Sequence, residues 1–186
     1  MKKPSLTLLL FLSTFISTVN GADMQNALIV YGSFSGSTGE IADSIGRCLK
    51  TRSCDAEIIP AQGKAMDLSG YDLIIIGSAI RGDNIHESVK AFIDSNRSAL
   101  NQKKIAVFAA CITITSSKER KREHARTYPD KVACGLRPIR TAVFAGNAPS
   151  SGWLVDKIGK MILGITPGDY RDWNRIKEWA GSLTEL

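Results

Sequence analysis

The 186-residue chain has only two histidines and four cysteines, and aromatic residues make up 7% of it. No two cysteines have the Cys-x-x-Cys spacing of thioredoxin-type and zinc sites, and metal-ligand residue types do not cluster, so we expect no metal centre. Zinc-finger spacing and an array of interleaved aromatic and basic residues are also missing, which argues against a nucleic-acid-binding protein. Internal repeats are absent, and the length suits one domain with a sizeable core.

The apolar run near the N-terminus, Leu6–Ile16, is too short to span a bilayer comfortably. It follows a basic start at Lys2 and Lys3 and precedes the small and polar segment Ser17–Ala22. This order is typical of a secretory signal peptide, here residues 1–22. We therefore expect an exported, periplasmic protein. An uncleaved anchor, which would keep the exported domain associated with the membrane, is the alternative.

Residues 23–186 are expected to form one mildly basic domain. The whole chain has a formal charge of +6, and removing the signal segment takes away two lysines and no acid, which leaves +4. Basic residues are concentrated in one polar stretch, at Lys118, Arg120, Lys121, Arg122 and Arg126. A solvated charged helix or loop is the expected explanation. A surface that meets anionic lipid or an acidic partner is the alternative.

Four cysteines remain in the exported domain: Cys48, Cys54, Cys111 and Cys134. An even number of cysteines in an exported protein permits disulfide bonds, and three connectivities are possible. Pairing of Cys48 with Cys54 would close a short loop. Pairing of Cys111 with Cys134 would link the two ends of the long polar segment that lies between them. Buried free thiols are the alternative, above all for Cys48, which lies on the apolar stripe of a predicted helix.

The segment after the first apolar run carries the strongest functional signal. Leu28–Tyr31 stops at Gly32, the turn Ser33-Phe34-Ser35-Gly36-Ser37-Thr38 follows, and a helical pattern then begins. Unpaired N–H groups at a helix start, together with the helix dipole, favour a bound anion. The hydroxyl side chains add donors, and Gly36 permits a backbone conformation that a Cβ would obstruct. The turn contains no lysine, so it predicts a phosphate site other than a Walker P-loop.

Strand and helix patterns alternate along the chain. After the first strand, strands are predicted at 56–59, 73–76, 105–110 and 139–145, with helical patterns among them and at the C-terminal end. This alternation implies βαβ units, so we expect an α/β fold with a doubly wound, five-stranded parallel sheet of order 2-1-3-4-5. Ligands of such sheets bind beyond the carboxyl ends of the strands, at the switch between the first and third strands.

The turn resembles the phosphate loop of the flavodoxin-like family, which has the form Thr/Ser-x-Thr-Gly-x-Thr between the first strand and the first helix. Here serine takes the middle hydroxyl position. The family binds FMN, with the phosphate in this loop and the isoalloxazine ring held by later loops. The resemblance therefore implies phosphate contacts from Ser33, Ser35, Gly36, Ser37 and Thr38, with Phe34 shielding the phosphate.

The resemblance also assigns the two sides of the flavin ring. The residues expected to approach one side of the ring are Ser78, Ala79, Ile80, Arg81 and Gly82. The residues expected to cover the other side are Ala110, Cys111, Ile112 and Thr113. Arg81 would stabilise an anionic reduced flavin or an acidic substrate, and an ordinary surface arginine is the alternative. We expect Cys111 to be a disulfide partner or an inert thiol rather than a redox-active one. No catalytic residue is assigned, and His86 and His124 are expected on helix surfaces.

The segment Ile76–Gly82 looks like the third-strand loop of flavodoxin-type, menaquinone-dependent protoporphyrinogen oxidases. That branch also has a long polar excursion, here Ser116–Lys131, and a strand end like Phe144-Ala145-Gly146. Later Gly168-Asp169 and Asp172-Trp173 match it as well. The branch works on the cytoplasmic side of the membrane, whereas this chain is expected to be exported. The resemblance therefore supports FMN as the cofactor more strongly than it supports a porphyrinogen as the substrate.

One helical pattern near the C-terminus has an apolar band: Trp153, Leu154, Ile158, Met161, Ile162 and Ile165, with Lys157 and Lys160 nearby. Core packing is the expected role of this band. Peripheral membrane contact, which would help the protein to meet a quinone, is the alternative.

The expected function is that of an exported FMN-binding oxidoreductase that passes electrons between a small donor and a quinone or protein acceptor. A flavodoxin-type electron carrier without its own small-molecule substrate is the alternative. Typical flavodoxins are acidic, so the basic charge of this chain argues against the carrier. A flavodoxin-like interaction protein that has lost its cofactor is a third possibility, and the intact hydroxyl-rich turn argues against it.

Overall fold

The computed structural model of this chain describes residues 26–149 and 152–185. The predicted signal segment, residues 1–22, lies outside the described residues. The strands are β1 (Asn26–Gly32), β2 (Asp55–Pro60), β3 (Leu73–Arg81), β4 (Asn84–Ile85), β5 (Lys104–Ala110), β6 (Arg140–Phe144), β7 (Asn147–Ala148) and β8 (Gly168–Asp169). The helices are α1 (Ser37–Lys50), α2 (Glu87–Leu100), α3 (Glu119–Arg126), α4 (Tyr128–Ala133), α5 (Trp153–Leu163) and α6 (Trp173–Ser182), with 3₁₀ turns at Ile112–Thr115 and Leu183–Glu185.

Five parallel strands form the main sheet in the order β2-β1-β3-β5-β6. Counted without the two-residue β4, this is the predicted order 2-1-3-4-5, and the doubly wound α/β fold is confirmed. β4 pairs antiparallel with the end of β3, and β7 pairs with β8 in a separate hairpin. These short strands were not predicted, because two residues are too few to show a periodic pattern.

Both faces of the sheet are buried, which explains the nearly unbroken apolar sequence of its central strands. Along β1, Leu28 and Val30 belong to the core on one face, and Ala27 and Ile29 belong to the core on the other. Helices α2 and α4 cover the first face, and α1 and α6 cover the second. The site-forming strand ends are therefore fixed from both sides.

The third parallel strand is longer than predicted. Its sequence pattern was read as ending at Ile76, but β3 continues to Arg81. Ala79 pairs with Ala110 of β5, and Ile80 pairs with Ile85 of β4. Pairing with β5 and β4 thus keeps residues 78–81 in the strand, although their sequence predicts a loop.

The polar excursion after β5 contains two helices. In α3, only Ala125 is buried, which agrees with the prediction of a solvated charged helix. In α4, Tyr128 and Val132 are buried against the α2 face of the sheet. All four cysteines, Cys48, Cys54, Cys111 and Cys134, are free thiols.

The expectation of core packing for the apolar band of α5 is wrong for three of its residues. Ile158, Met161 and Ile162 are 43%, 70% and 53% exposed, whereas Ile165 is buried. The helical pattern shows that one face is apolar, but it does not show what covers that face. The side chains of Trp153 and Leu154 lie outside the described residues. Within the described ranges, no helix is both long and apolar enough to cross a membrane.

A substitution at Gly77 tests the packing of the central strands. A Cβ at this position would lie 2.1 Å from the ring of Phe108, which is fully buried and cannot move aside. We expect Gly77→Ala to lower the free energy of unfolding by about 2 kcal/mol. The matched control is Gly70→Ala, since nothing lies within 4 Å of a Cβ there. Urea denaturation should separate the two variants, and equal midpoints would contradict this account of the packing.

Candidate functional site

A cavity of about 290 Å³ lies at the carboxyl ends of β1, β3 and β5, beside the start of α1. Twelve of the fifteen residues predicted to hold a flavin line it: Phe34, Ser35, Ser37, Thr38, Ala79, Ile80, Arg81, Gly82, Ala110, Cys111, Ile112 and Thr113. Gly146 and Asn147, which the prediction missed as site residues, complete the lining. Three segments far apart in sequence are thus brought together where a parallel sheet of this order places its ligand.

The other three predicted residues, Ser33, Gly36 and Ser78, do not line the cavity but shape the segments that do. The Ser33 hydroxyl accepts a hydrogen bond of 2.9 Å from the Gly36 N–H and so closes the turn. Gly36 has a φ of +90°, a left-handed conformation that a glycine adopts without steric cost. The buried Ser78 hydroxyl accepts from the His86 N–H at 2.8 Å and donates to the Ala79 carbonyl.

The start of α1 is left open for an anion. Gly36 is the N-cap and supplies no side-chain cap, and the first N–H groups of a helix have no carbonyl partner within it. Thr38 is fully buried, yet its hydroxyl Oγ1 has no hydrogen-bond partner. Buried hydroxyl groups are nearly always paired, so this one marks a missing acceptor. The oxygen of a phosphate group bound at the helix start fits this requirement.

Phe34 links the phosphate turn to the end of β3. The Arg81 guanidinium lies over the Phe34 ring, with its carbon 4.2 Å from the ring centroid. On the same ring, His86 packs with a centroid distance of 4.6 Å. The His86 side chain also accepts from the Ser88 N–H at the start of α2. The three side chains therefore form a rim that keeps a positive charge beside the cavity.

Asp83 is the site-supporting residue that sequence reasoning missed. It follows Gly82 in the β3–β4 turn with a φ of +71°. Its carboxylate accepts hydrogen bonds from His124 Nε2 at 2.8 Å, Tyr128 at 2.7 Å and Lys131 Nζ at 3.0 Å. These donors hold the pKa of Asp83 well below its ordinary value, with the Tyr128 bond contributing most. The end of β3 is thereby tied to α3 and α4.

Cys111 is a wall residue rather than a reactive thiol. It is 4% exposed, and burial raises its pKa to about 11. A thiol with a raised pKa stays protonated near neutral pH and is a poor nucleophile. This agrees with the expectation of an inert thiol. Within residues 26–149 and 152–185, no group of three or more His, Cys, Asp or Glu side chains is arranged to hold a metal ion.

Arg171 holds the β7–β8 hairpin, and with it the cavity residue Asn147, against α1. Its guanidinium donates to both carboxylate oxygens of Asp169 and to Glu40 in the first turn of α1. The side chain is only 8% exposed and lies over the Trp173 ring at 4.7 Å. These carboxylates raise the pKa of Arg171, which keeps its charge fixed.

A larger cavity of about 630 Å³ lies between α1 and α6. It is lined by Glu40, Arg47, Cys48, Trp173 and Lys177, among others. Size alone would favour it, but it lies along the sides of α1 and α6, and its lining includes neither the strand ends nor Thr38, whose hydroxyl is unpaired. The smaller cavity is therefore the better candidate for the ligand-binding site.

Comparison with known proteins finds similarity over most of the chain. The family model of the flavodoxin domain matches residues 28–168. Protoporphyrinogen IX dehydrogenase (quinone) of Escherichia coli strain K12 is 24% identical over 175 residues, which cover 87% of this chain and 96% of that protein.

Solved flavodoxin structures share the fold. Oxidised flavodoxin 1 of Bacillus cereus has a TM-score of 0.57 at 21% identity and covers 87% of this chain and 98% of its own. Flavodoxin 2 of the same organism has a TM-score of 0.59 at 24% identity, with coverage of 86% and 98%. Since the family model spans most of the chain and the strand order and phosphate turn agree with it, this chain belongs to the flavodoxin domain family.

Proposed function

We propose that this chain is an exported, FMN-dependent oxidoreductase that passes electrons from a small organic donor to a quinone. The observation that carries the FMN assignment is the unpaired, buried Thr38 hydroxyl at the open start of α1, inside a cavity at the strand ends. The similarity to a quinone-linked dehydrogenase over 96% of that protein's length supports the choice of reaction.

In this proposal the turn before α1 binds the FMN phosphate. Thr38 Oγ1 would donate to a phosphate oxygen, and the hydroxyls of Ser35 and Ser37, which line the cavity, would add further donors. Residues 79–82 and residues 110–113 would hold the isoalloxazine ring. When bound, FMN supplies the redox chemistry by taking electrons from a donor and passing them to an acceptor.

The residues around the ring position would control binding and charge. Arg81 is held over Phe34 and favours negative charge beside the ring. Cys111 supplies an uncharged wall, since its thiol stays protonated. In each turnover the donor loses two electrons and two protons, and the quinone takes up both to become a quinol. The protons exchange with water, so the reaction requires no protein base.

Export and membrane contact complete the proposal. The predicted signal segment at residues 1–22 supports export. The exposed apolar residues Ile158, Met161 and Ile162 of α5, beside the exposed residues Lys157 and Lys160, suit the interface of an anionic membrane, where quinones are dissolved. An electron carrier without its own substrate is the second candidate, and the solved flavodoxin structures of the same fold favour it.

Turnover separates these two candidates. FMN-loaded protein, given protoporphyrinogen IX as donor and menadione as quinone, should form fluorescent porphyrin with matching consumption of quinone. Protein without FMN is the control and should give only the background rate. A carrier would accept electrons from a reductase but leave the porphyrinogen unchanged, which would overturn the oxidoreductase assignment. If the protein retained no flavin after free FMN was removed by gel filtration, both candidates would be overturned.

Thr38→Val tests the phosphate site itself. The substitution removes a hydroxyl that has no partner in the protein, so stability without FMN should stay equal or rise. FMN affinity should fall about ten- to hundredfold, because a hydrogen bond to a charged group is lost. Flavin fluorescence quenching and thermal melting measure the two quantities.

The control for this test is Thr51→Val, at the other end of α1. The Thr51 hydroxyl donates to the Cys48 carbonyl at 2.7 Å. This variant should lose about 1 kcal/mol of stability and keep its FMN affinity. If Thr38→Val lowered stability and left FMN affinity unchanged, its hydroxyl would have no role in the phosphate site.

Vesicle binding tests membrane contact. In protein purified after processing, with the N-terminus identified by mass spectrometry, we expect Met161→Glu combined with Ile162→Glu to reduce binding to phosphatidylglycerol vesicles by about tenfold. Ile139→Glu changes an exposed apolar residue outside α5 and serves as the control. Equal binding by both variants, or equal binding to neutral phosphatidylcholine vesicles, would contradict an electrostatic and apolar contact through α5.

A further inference from the structure

A third cavity, of about 380 Å³, lies beside the edge strand β6, and we call it the arginine cavity. Its apolar part includes Pro129, Ala142 and Val143, and three arginines, Arg122, Arg126 and Arg175, line it as well. Its volume is within the range of small-molecule pockets, ~300–1,000 Å³. Apolar surface combined with clustered guanidinium groups suits an organic acid whose body is apolar.

The three arginines differ in how far they are neutralised. Arg122 donates to the Ser116 carbonyl at 2.5 Å and to Glu119, and Arg126 lies 3.7 Å from the same Glu119 carboxylate. The Arg175 side chain has no hydrogen bond or ion pair in the part of the chain that the structure describes. Arg122 and Arg126 thus share one carboxylate, and Arg175 adds a third guanidinium group to the lining.

This cavity adjoins the candidate flavin site. The 3₁₀ turn Ile112–Thr115 separates the two: Ile112 and Thr113 line the flavin cavity, and Ile114 lines the arginine cavity. The edge strand β6 runs from the arginine cavity towards Gly146, which lines the flavin cavity. The two cavities therefore lie on either side of one 3₁₀ turn, whose consecutive residues Thr113 and Ile114 line one cavity each.

We propose that Arg126 and Arg175 form a carboxylate-recognition subsite that holds an amphipathic organic acid beside the flavin. Planar guanidinium groups bind carboxylates through paired, charge-assisted hydrogen bonds, and the apolar floor accepts the body of the ligand. The inference rests on the proposed function in one respect: the acid held here is the electron donor of the reaction. An apolar tetrapyrrole with carboxylate arms belongs to this chemical class.

Calorimetric titration of FMN-loaded protein tests the subsite, because the flavin cavity is then filled. The probe is pyrenebutyrate, an apolar ring system with one carboxylate, and pyrenebutanol is its uncharged match. We expect the acid to bind and Arg126→Gln combined with Arg175→Gln to weaken it at least about tenfold. Arg175→Gln alone should give a smaller loss of the same kind.

Arg137→Gln removes the same charge from an exposed position that lines none of the three cavities described above, and it should change affinity less than about twofold. Thermal melting and FMN affinity should be unchanged in all variants, since these arginines are neither core nor flavin-cavity residues. Equal binding of the acid and the alcohol, or wild-type affinity in the double variant, would overturn the proposal. In that case the arginines only protect an edge strand from pairing.

The outcome does not depend on turnover. The dependence on Arg126 and Arg175 is measured by binding alone, in FMN-loaded protein whose flavin cavity is filled. If that dependence is seen but porphyrinogen is not oxidised, the subsite stands and the proposed reaction fails. If porphyrinogen is oxidised equally well by the double variant, the reaction stands and the subsite fails.

Discussion

The open start of α1 is the constraint on which the rest of the site depends. A helix start without a side-chain cap and a fully buried hydroxyl without a partner both cost stability, and at Thr38 the second cost is about 1–3 kcal/mol. The protein keeps both in place by closing the preceding turn from within, through Ser33 and the left-handed Gly36. A bound phosphate removes both costs at the same atoms, so ligand binding and local stability are coupled there.

Close packing holds this uncapped start in position. A Cβ at Gly32 would lie 2.7 Å from His86, and one at Gly39 would lie 2.9 Å from Tyr31, so β1, α1 and α2 approach more closely than larger residues permit. That approach brings His86 to the ring of Phe34. On the other side, Arg171 fixes the hairpin that carries Asn147 against α1. The walls of the cavity are therefore set by rigid neighbours and not by the turn alone.

The sequence predicted what is encoded locally. Buried apolar runs and a hydroxyl-rich turn before a helical pattern are short-range signals, and they were sufficient for the strand order and the phosphate turn. The other two segments of the cavity lining were assigned through the resemblance to the flavodoxin-like family. Asp83 was missed because its partners lie more than 40 residues away, and a turn aspartate carries no sign of them. The exposure of Met161 was missed because an amphipathic pattern does not say what covers the apolar face. Residues beyond Ile76 were placed in a loop because their strand character comes from neighbouring strands.

The excursion after β5 is the element that bears most directly on whether the chain reacts with a donor or only carries electrons. It supplies Arg122 and Arg126, two of the three arginines of the arginine cavity. The 3₁₀ turn Ile112–Thr115 forms the wall between the arginine cavity and the flavin cavity. Asp83 binds the same excursion to the end of β3, which lines the flavin cavity. A carrier exchanges electrons at an exposed ring edge and has no use for a second ligand pocket. A segment that would recognise an acidic donor, and that is hydrogen-bonded to the segment that would hold the ring, is better suited to direct oxidation of that donor.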